Sequence, residues 1–576
     1  MTECKDPALG VARAYHHATK HHFHRYARAL GYLDWENQPN PFRTYAGAPR
    51  IPLPFMREDH TPPYRNLHAR ESVRPARVSL ESVGQLFELS LAISAWKEFQ
   101  GSRWALRVNP SSGNLHPTEG YLLMGPSHGC GEVPGFGAEG RVCHYVPLDH
   151  SLEVRTCFTA EIWRSLVSGL PEGAFLVGLT SIHWREAWKY GERAFRYCQH
   201  DVGHALAALA FSAAALGWKL VHLQDLSDSE IAALLGVDRE DGVHPLEREH
   251  PDLLAAIIPH ADPEALSSRL PSETIRHVAS GAWFGVANRL SEDPVEWSII
   301  EEVRRATEKP PTTSLALRVA PAPEAASPSP LAPLPHDSTA ARDLILRRRS
   351  AVAYDGRTGI SAPVFFRLLA ETLPDRPDLG QRPCPWDAIR WGTWVHLALF
   401  VHLVEGIPPG LYVLVRDPRK LDLLRASMRT DFIWERPTGC PTWLPLFHLL
   451  SGDARALAAQ VSCHQDIAGY GAFSLGMVAE FEAGLEEMGP WFYRNLFWET
   501  GMIGQALYLG AEAAGIRATG IGCFFDDPVH EVFGLTGTGF QSLYHFTLGG
   551  AVEDTRLTTL PPYPPEIRHA RGSGIA

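Results

Sequence analysis

No run of about 20 apolar side chains occurs in these 576 residues, and the Ala-rich stretch Ala205–Trp218 is too short for a membrane span. Basic charge is in deficit. The 53 Lys and Arg stand against 65 Asp and Glu, a net charge of -12, so bulk electrostatics gives no case for nucleic acid as partner. Cysteine is sparse and scattered: nine residues, an odd number, with no C-x-x-C pair. That argues against a disulfide framework or a zinc site and predicts a reducing, cytoplasmic setting. Charged and His side chains fill the N-terminal stretch where a signal peptide needs an apolar core. No dinucleotide-binding G-x-G-x-x-G fold is evident, so a nicotinamide donor such as NAD(P)H would have to bind transiently.

What is present describes a globular chain of more than one domain. Hydrophobic residues make up 45% and charged residues 20%, and the length exceeds what one core fills. Lys309–Ser338 is dominated by Pro, Ala and Ser, a composition too poor in apolar surface to order itself. It predicts a linker between related halves: Gly191, Arg196, Asp201, Gly203, Leu209 and Gly217 recur as Gly489, Arg494, Glu499, Gly501, Leu507 and Gly515, each shifted by 298 positions. The register also joins Gly173 to Gly471 and Gly236 to Gly534, a long-period duplication of whole domains. Each repeat predicts a long helix, from near Phe195 or Tyr493 to Gly217 or Gly515, apolar on most faces. Such a helix is either packed on its counterpart at a pseudo-two-fold axis or central to one domain alone. Acid-capped helices at Asp228–Leu235 and Asp526–Phe533 follow, and strand-like runs at 120–124, 174–179, 410–415 and 542–548 predict a mixed α+β fold.

Three elements carry candidate chemistry. Arg347-Arg-Arg-Ser350 follows the linker; guanidiniums with a serine hydroxyl suit a phosphate, although a solvated basic turn at a helix end is the plainer alternative. Asn109-Pro-Ser-Ser-Gly-Asn114, preceded by Arg107, forms an irregular loop whose Ser111, Ser112 and Asn114 can address a polar ring edge, or simply make a turn before a strand. Gly520-Ile-Gly522 allows close backbone approach to a ring, and Arg556 supplies another phosphate partner.

In combination, these elements and the stretches ISAWKEFQGSRWALRVNPSSGNLHPTEGYLL, KYGERAFRYCQHDVGHALAALAFSAAALGW, RRRSAVAYDG and TGIGCFFDDPVHEVFGL resemble the nitroreductase superfamily, within it the SagB-type dehydrogenases, over most of both halves. The resemblance implies tandem, three-layer α+β domains forming an intrachain pseudo-dimer, compatible with a monomer. It divides the chain into an N-terminal extension (1–65), a first domain (66–308), the linker (309–338) and a second domain (339–576). It also implies FMN at the domain interface, with Arg347, Arg348, Ser350, Gly520, Gly522 and Arg556 contributed by the second half. Arg107, Ser111, Ser112 and Asn114 come from the first. The mirror-image set is degraded: Arg70-Glu-Ser-Val-Arg74 replaces Arg-Arg-Ser, and Trp391-Gly-Thr-Trp394 replaces the serine loop, so one flavin per chain is expected.

Lys189-Tyr190 matches a pair implicated in proton removal in azoline oxidases of that family, which makes both candidate catalytic residues. A surface role for Lys189 is the alternative, and the chemistry would require a pKa lowered toward neutrality. The substrate would be a small electron-poor molecule or a peptide heterocycle. A flavin-free scaffold and a flavin-consuming enzyme remain alternatives. His16, His17, His21, His22 and His24 are expected on one N-terminal helix, with His17, His21 and His24 sharing a face and packing rather than metal binding as their role. The aromatic cluster around Trp491 and Trp498 is expected to pack that helix.

Overall fold

The computed structural model describes residues 6–56, 59–68, 72–126, 138–239, 242–260, 269–312, 331–564 and 567. Most of the expected linker (313–330) and Arg70 and Glu71 of the degraded arginine motif lie outside them.

The first half carries a seven-stranded antiparallel sheet: β1 (Arg50–Pro52), β2 (Thr118–Met124), β3 (Gly140–Val146), β4 (Ser151–Phe158), β5 (Phe175–Ser181), β6 (Lys219–His222) and β7 (His250–Ile258), in the order β1-β4-β3-β2-β5-β7-β6. The second carries six: β8 (Val395–Val401), β9 (Gly410–Leu414), β10 (Leu446–Ser451), β11 (Phe473–Glu480), β12 (Arg517–Ile521) and β13 (Phe540–Gly549), ordered β10-β9-β8-β11-β13-β12. Without β1, which the N-terminal segment adds, the two orders are the same. The duplication read from sequence is a duplication of topology.

The two long helices, Ala194–Ala215 and Phe492–Ala513, are buried along their whole length. Side chains apolar or small on most faces leave no solvent side, and the helices bury much of that surface on each other. They touch backbone to backbone. A Cβ on Gly203 would lie 2.2 Å from the carbonyl oxygen of Trp498, and a Cβ on Gly501 would lie 2.2 Å from that of His200. Those two contacts are one contact repeated at the 298-residue offset, as a two-fold interface requires.

Ion pairs repeat the same symmetry. Arg196 meets Asp526 at 2.8 Å and Arg494 meets Asp228 at 2.7 Å, each arginine reaching the first residue of an acid-capped helix in the other half. Those helices end at Gly236 and Gly534 with left-handed φ of 69° and 72°, a conformation glycine adopts at little cost.

The chain ends cross between halves. Thr558–Leu560 pairs with Ile93–Phe99 of the first half, extending the hairpin that leads through Ser102–Arg107 into the serine loop. At the other end the helix Pro7–Ala18 reaches the second half through Arg13 to Glu486 (2.9 Å), and Lys20 reaches Asp527 (2.6 Å). That helix is shorter than expected: it stops at Ala18, so His21, His22 and His24 follow it rather than ride on it. His16 and His21 are buried while His17 and His24 are exposed, and the shared histidine face does not form.

Candidate active site

The interface opens into a cleft of about 470 Å³ walled by both halves. The first half contributes the serine loop with Tyr190, Tyr197, Asp201 and His204. The second contributes Arg348–Val352, Tyr508, Arg517, Thr519–Cys523 and Tyr544. A cavity of similar size, about 490 Å³, lies near His183, His250 and Trp297, and none of the expected site residues lines it.

Of the three consecutive arginines, the helix end decides which one reaches the cleft. Ala341–Arg347 is helical and Arg348 leaves it in an extended conformation (φ -49°, ψ 127°). Arg347 therefore stays on the outer face, half-exposed, bonded to Glu512 at 3.2 Å, and is not a cleft residue. Arg348 turns in. It is buried, its Nη2 donates to the carbonyl of Arg107 at 3.1 Å, and its plane lies 4.9 Å from the Tyr508 ring centroid. Its Nε and Nη1 have no partner, and no carboxylate pairs with it among the described residues. A buried guanidinium with no paired carboxylate is costly, a cost that an anion in the cleft would offset; Glu512 acts on it only as a longer-range charge. Arg349, anchored on Ser94, and Arg517, paired with Glu553 at 2.6 Å, also line the wall. Ser350 faces the cleft and shares a hydrogen bond of 2.8 Å with Tyr508 Oη.

Two other arginines depart from expectation. Arg107 lines the cleft, yet its guanidinium turns away to the carbonyls of Pro41 and Thr118, and only its own carbonyl meets Arg348. Arg556 is exposed and closed on Asp554, two residues away, at 2.8 Å, outside the cleft. In both, an acceptor close at hand in the fold captures the guanidinium.

The serine loop is a rigid unit. Gly113 and Asn114 have left-handed φ of 59° and 61°. Asn114 donates to Ala105 O at 2.8 Å and its Oδ1 meets His116 Nε2 at 3.0 Å, while Ser111 Oγ accepts from His116 N at 2.8 Å. Ser112 donates through both N–H and Oγ to Asp201 (3.1 and 3.2 Å). Asn109 Oδ1 and His116 Nδ1 have no partner. Tyr190 Oη lies against Gly113, where a Cβ would be 2.6 Å away, with the Lys189 amine next to it at 3.2 Å. Gly520 and Gly522 line the cleft, and a Cβ on them would lie 1.9 Å from the Tyr544 hydroxyl and 2.2 Å from the Tyr197 ring.

Burial dominates the electrostatics. It raises the Tyr190 phenol, with Glu186 adding to the effect, which favours the protonated form. Burial also depresses His204, to about 3, with Arg348 contributing, and lowers His116, so both imidazoles are neutral. Asp201 is the exception in kind: desolvation raises it to about 7 against the donors of Ser111 and Ser112. Because its folded-state value exceeds its unfolded one, it contributes stability below about pH 4 that is lost as pH rises toward 7. Asp201→Asn, which keeps an acceptor for Ser112, is expected to remove that decline. Thermal midpoints of the two proteins between pH 4 and 7.5 check it, and parallel curves would contradict the assignment.

At the pseudo-symmetric position the counterpart side chains bond and pack within the protein. Glu499, the counterpart of Asp201, accepts from the backbone of Trp394 and Val395 and pairs with buried Arg416. His222, the counterpart of Gly520, meets the rings of Trp391 at 5.6 Å and Trp498 at 6.0 Å. The aromatic cluster thus packs the second long helix. Sequence reading missed Asp201, His204, Arg517 and Tyr544 as cleft residues; of these only Asp201 left a signal, as the acid matched in kind at the repeat offset, while Arg349 lies within the arginine motif already singled out.

No protein-family model matches the sequence, and no curated protein matches it. Solved structures do match the fold. A "putative nitroreductase" from Anabaena variabilis aligns over 94% of this chain and 99% of its own, with a TM-score of 0.64 and 19% identity. Two partial matches are a second such protein, from Exiguobacterium sibiricum, in complex with FMN (13% identity, 37% of this chain and 88% of that one, TM-score 0.22), and the Escherichia coli microcin synthetase McbBCD complex with truncated pro-MccB17 bound (17%, 36% and 70%, 0.27). The fold is therefore the α+β nitroreductase type, in tandem, as a pseudo-dimer within one chain. Among the described residues no helix is long and apolar enough to cross a membrane.

Proposed function

We propose that the chain is an FMN-dependent oxidoreductase with one flavin per chain, bound in the cleft between its halves. The observation that carries this is Arg348: a buried guanidinium from one half, lacking a carboxylate, beside a serine–asparagine loop from the other. Arg348 would neutralise the phosphate, with Arg349, Arg517 and Ser350 alongside it. Arg349 and Arg517 replace Arg347 and Arg556 in the set expected from sequence. The loop from Asn109 to Asn114 would meet the polar edge of the ring. Bound there, FMN would supply hydride transfer, with NAD(P)H as a transient donor and a small electron-poor molecule or a peptide heterocycle as substrate.

The chain's own part is orientation and proton handling. Tyr190 holds its proton at Oη beside Gly113, with Lys189 next to it, and the pair can donate a hydrogen bond to a substrate. Asp201, balanced near neutrality, can take or release a proton at its carboxyl behind Ser112. The test is to release the bound cofactor from purified protein, identify it by mass and fluorescence, and count it. One FMN per chain is expected. A chain that stays colourless when supplied with FMN would leave only the scaffold role of the fold.

A further inference from the structure

Cys463 and Cys523 lie 60 residues apart in the chain, yet their sulfurs are 2.8 Å apart. Cys523 lines the cleft directly after Gly522, with Cys463 behind it in the turn Ser462–Gln465; both are half-buried. The frame around them is fixed. Phe525 N–H donates to Val461 O at 2.8 Å, and the Gln465 amide donates to both Ser462 O and Cys523 O at 2.9 Å. Cys463 and His464 are both held in left-handed backbone, at φ of 55° and 56°, a strained state for non-glycine residues that collects at functional sites.

The surroundings favour a thiolate on one of the two. His21 Nδ1 accepts from Ala27 N–H at 2.9 Å, which leaves its Nε2–H to donate to Cys523. Arg193, whose Nη2 reaches Gly522 O at 3.2 Å, adds positive charge. The Cys463 thiol foremost, then His21 and Arg193, hold Cys523 below the ordinary thiol value, while burial and its neighbour push Cys463 up. The other described cysteines lack this arrangement: Cys143 and Cys198 are buried, and burial raises both.

We propose that Cys463 and Cys523 form a reversible dithiol–disulfide couple in the wall of the cleft, with Cys523 as the attacking sulfur and a low-molecular-weight disulfide as co-substrate. The Cys523 thiolate attacks one sulfur of the small disulfide and expels the other as a thiolate, leaving a mixed disulfide. Cys463 gives its proton to the expelled thiolate and attacks the Cys523 sulfur, expelling the second small thiol. One protein S–S bond forms, one small-molecule S–S bond breaks, and two electrons pass to the small molecule. Oxidation ties the end of β12 covalently to the 462–465 turn and so stiffens one wall of the cleft. The couple does not depend on the cofactor assignment, because its chemistry is confined to the two sulfurs.

The test uses the full chain, reduced, desalted and incubated with glutathione disulfide. Two fewer of the nine thiols should alkylate after unfolding, a peptide joining Cys463 to Cys523 should be recovered, and dithiothreitol should reverse both. Cys463→Ser should trap glutathione on Cys523, whereas Cys523→Ser should leave Cys463 unmodified at the same exposure. An unchanged thiol count in the unsubstituted chain overturns the proposal, as does equal glutathionylation of the two variants. The first readout needs no variant, so a misfolded substitution leaves the outcome decided. A chain that binds no FMN is tested equally well.

Discussion

Replacing Arg348 by methionine is expected to weaken FMN binding by roughly 10- to 150-fold while leaving the empty protein as stable as before, or more so. The first part follows from losing a charge-assisted hydrogen bond to a phosphate, about 1.5–3 kcal/mol. The second follows from the state of the residue without ligand. Arg348 is buried with two donors unsatisfied and no carboxylate partner, and an apolar side chain of similar length removes that burden. The two effects point in opposite directions, which separates a ligand-binding arginine from a structural one. Were its bond to Arg107 O and its contact with Tyr508 the reason for its presence, the empty variant would melt lower. Fluorescence titration with FMN gives the affinity, and melting with and without FMN gives the stability and its ligand-linked shift. Arg347→Met, on the outer face, is the control, with affinity expected to stay within about twofold because an exposed ion pair contributes little.

The contrast between Arg347 and Arg348 shows where sequence reading runs out. Composition and motif place a basic cluster after the linker, but which guanidinium turns inward depends on a helix ending at one residue rather than the next. Element ends are the least determined feature of a sequence pattern. The same limit explains the N-terminal histidines, whose shared face needed a helix that stops at Ala18. Arg556 closes instead on Asp554, two residues away in the chain.

What the sequence did carry was the duplication, while the pairing of the halves was one of two arrangements it allowed. An ungapped repeat preserves contacts as well as segments, so Gly203 and Gly501, matched by offset alone, turn out to be the two points where helices touch backbone to backbone. The loop from Asn109 and the arginine at 348 could be assigned to one cleft only through the family resemblance. No local pattern brings together residues 240 positions apart. The cysteine pair had no signal at all: its 60-residue spacing matches no motif, and only the fold makes the two sulfurs neighbours.

The same symmetry predicts where the molecule is most fragile. Asp526 is fully buried and accepts from Arg196 at 2.8 Å, Arg193 at 3.0 Å and the backbone of His21 at 2.9 Å. It joins both halves and the N-terminal segment at one carboxylate. Asp526→Asn keeps the shape and the backbone bond but leaves two buried guanidiniums without a counter-charge, a loss of about 3–5 kcal/mol for a broken buried pair. Its counterpart Asp228 ion-pairs with one arginine rather than two, Arg494, and accepts from the backbone of Lys309, so Asp228→Asn is expected to cost less, although the positions are equivalent by sequence. Acid separates the charge effect from a packing effect. Arg193 and Arg196 hold the Asp526 carboxyl far below its ordinary 3.8 against desolvation. Its folded-state value is depressed, so its contribution is complete above about pH 4 and declines below that, as the unfolded chain takes up a proton the folded one refuses. Urea unfolding at pH 7 should show the full gap between the parent chain and Asp526→Asn, and the gap should narrow steadily below pH 4. A gap that stays constant into acid would mean the substitution acts through packing, and the ion pairs across the interface would then not be what holds the halves together.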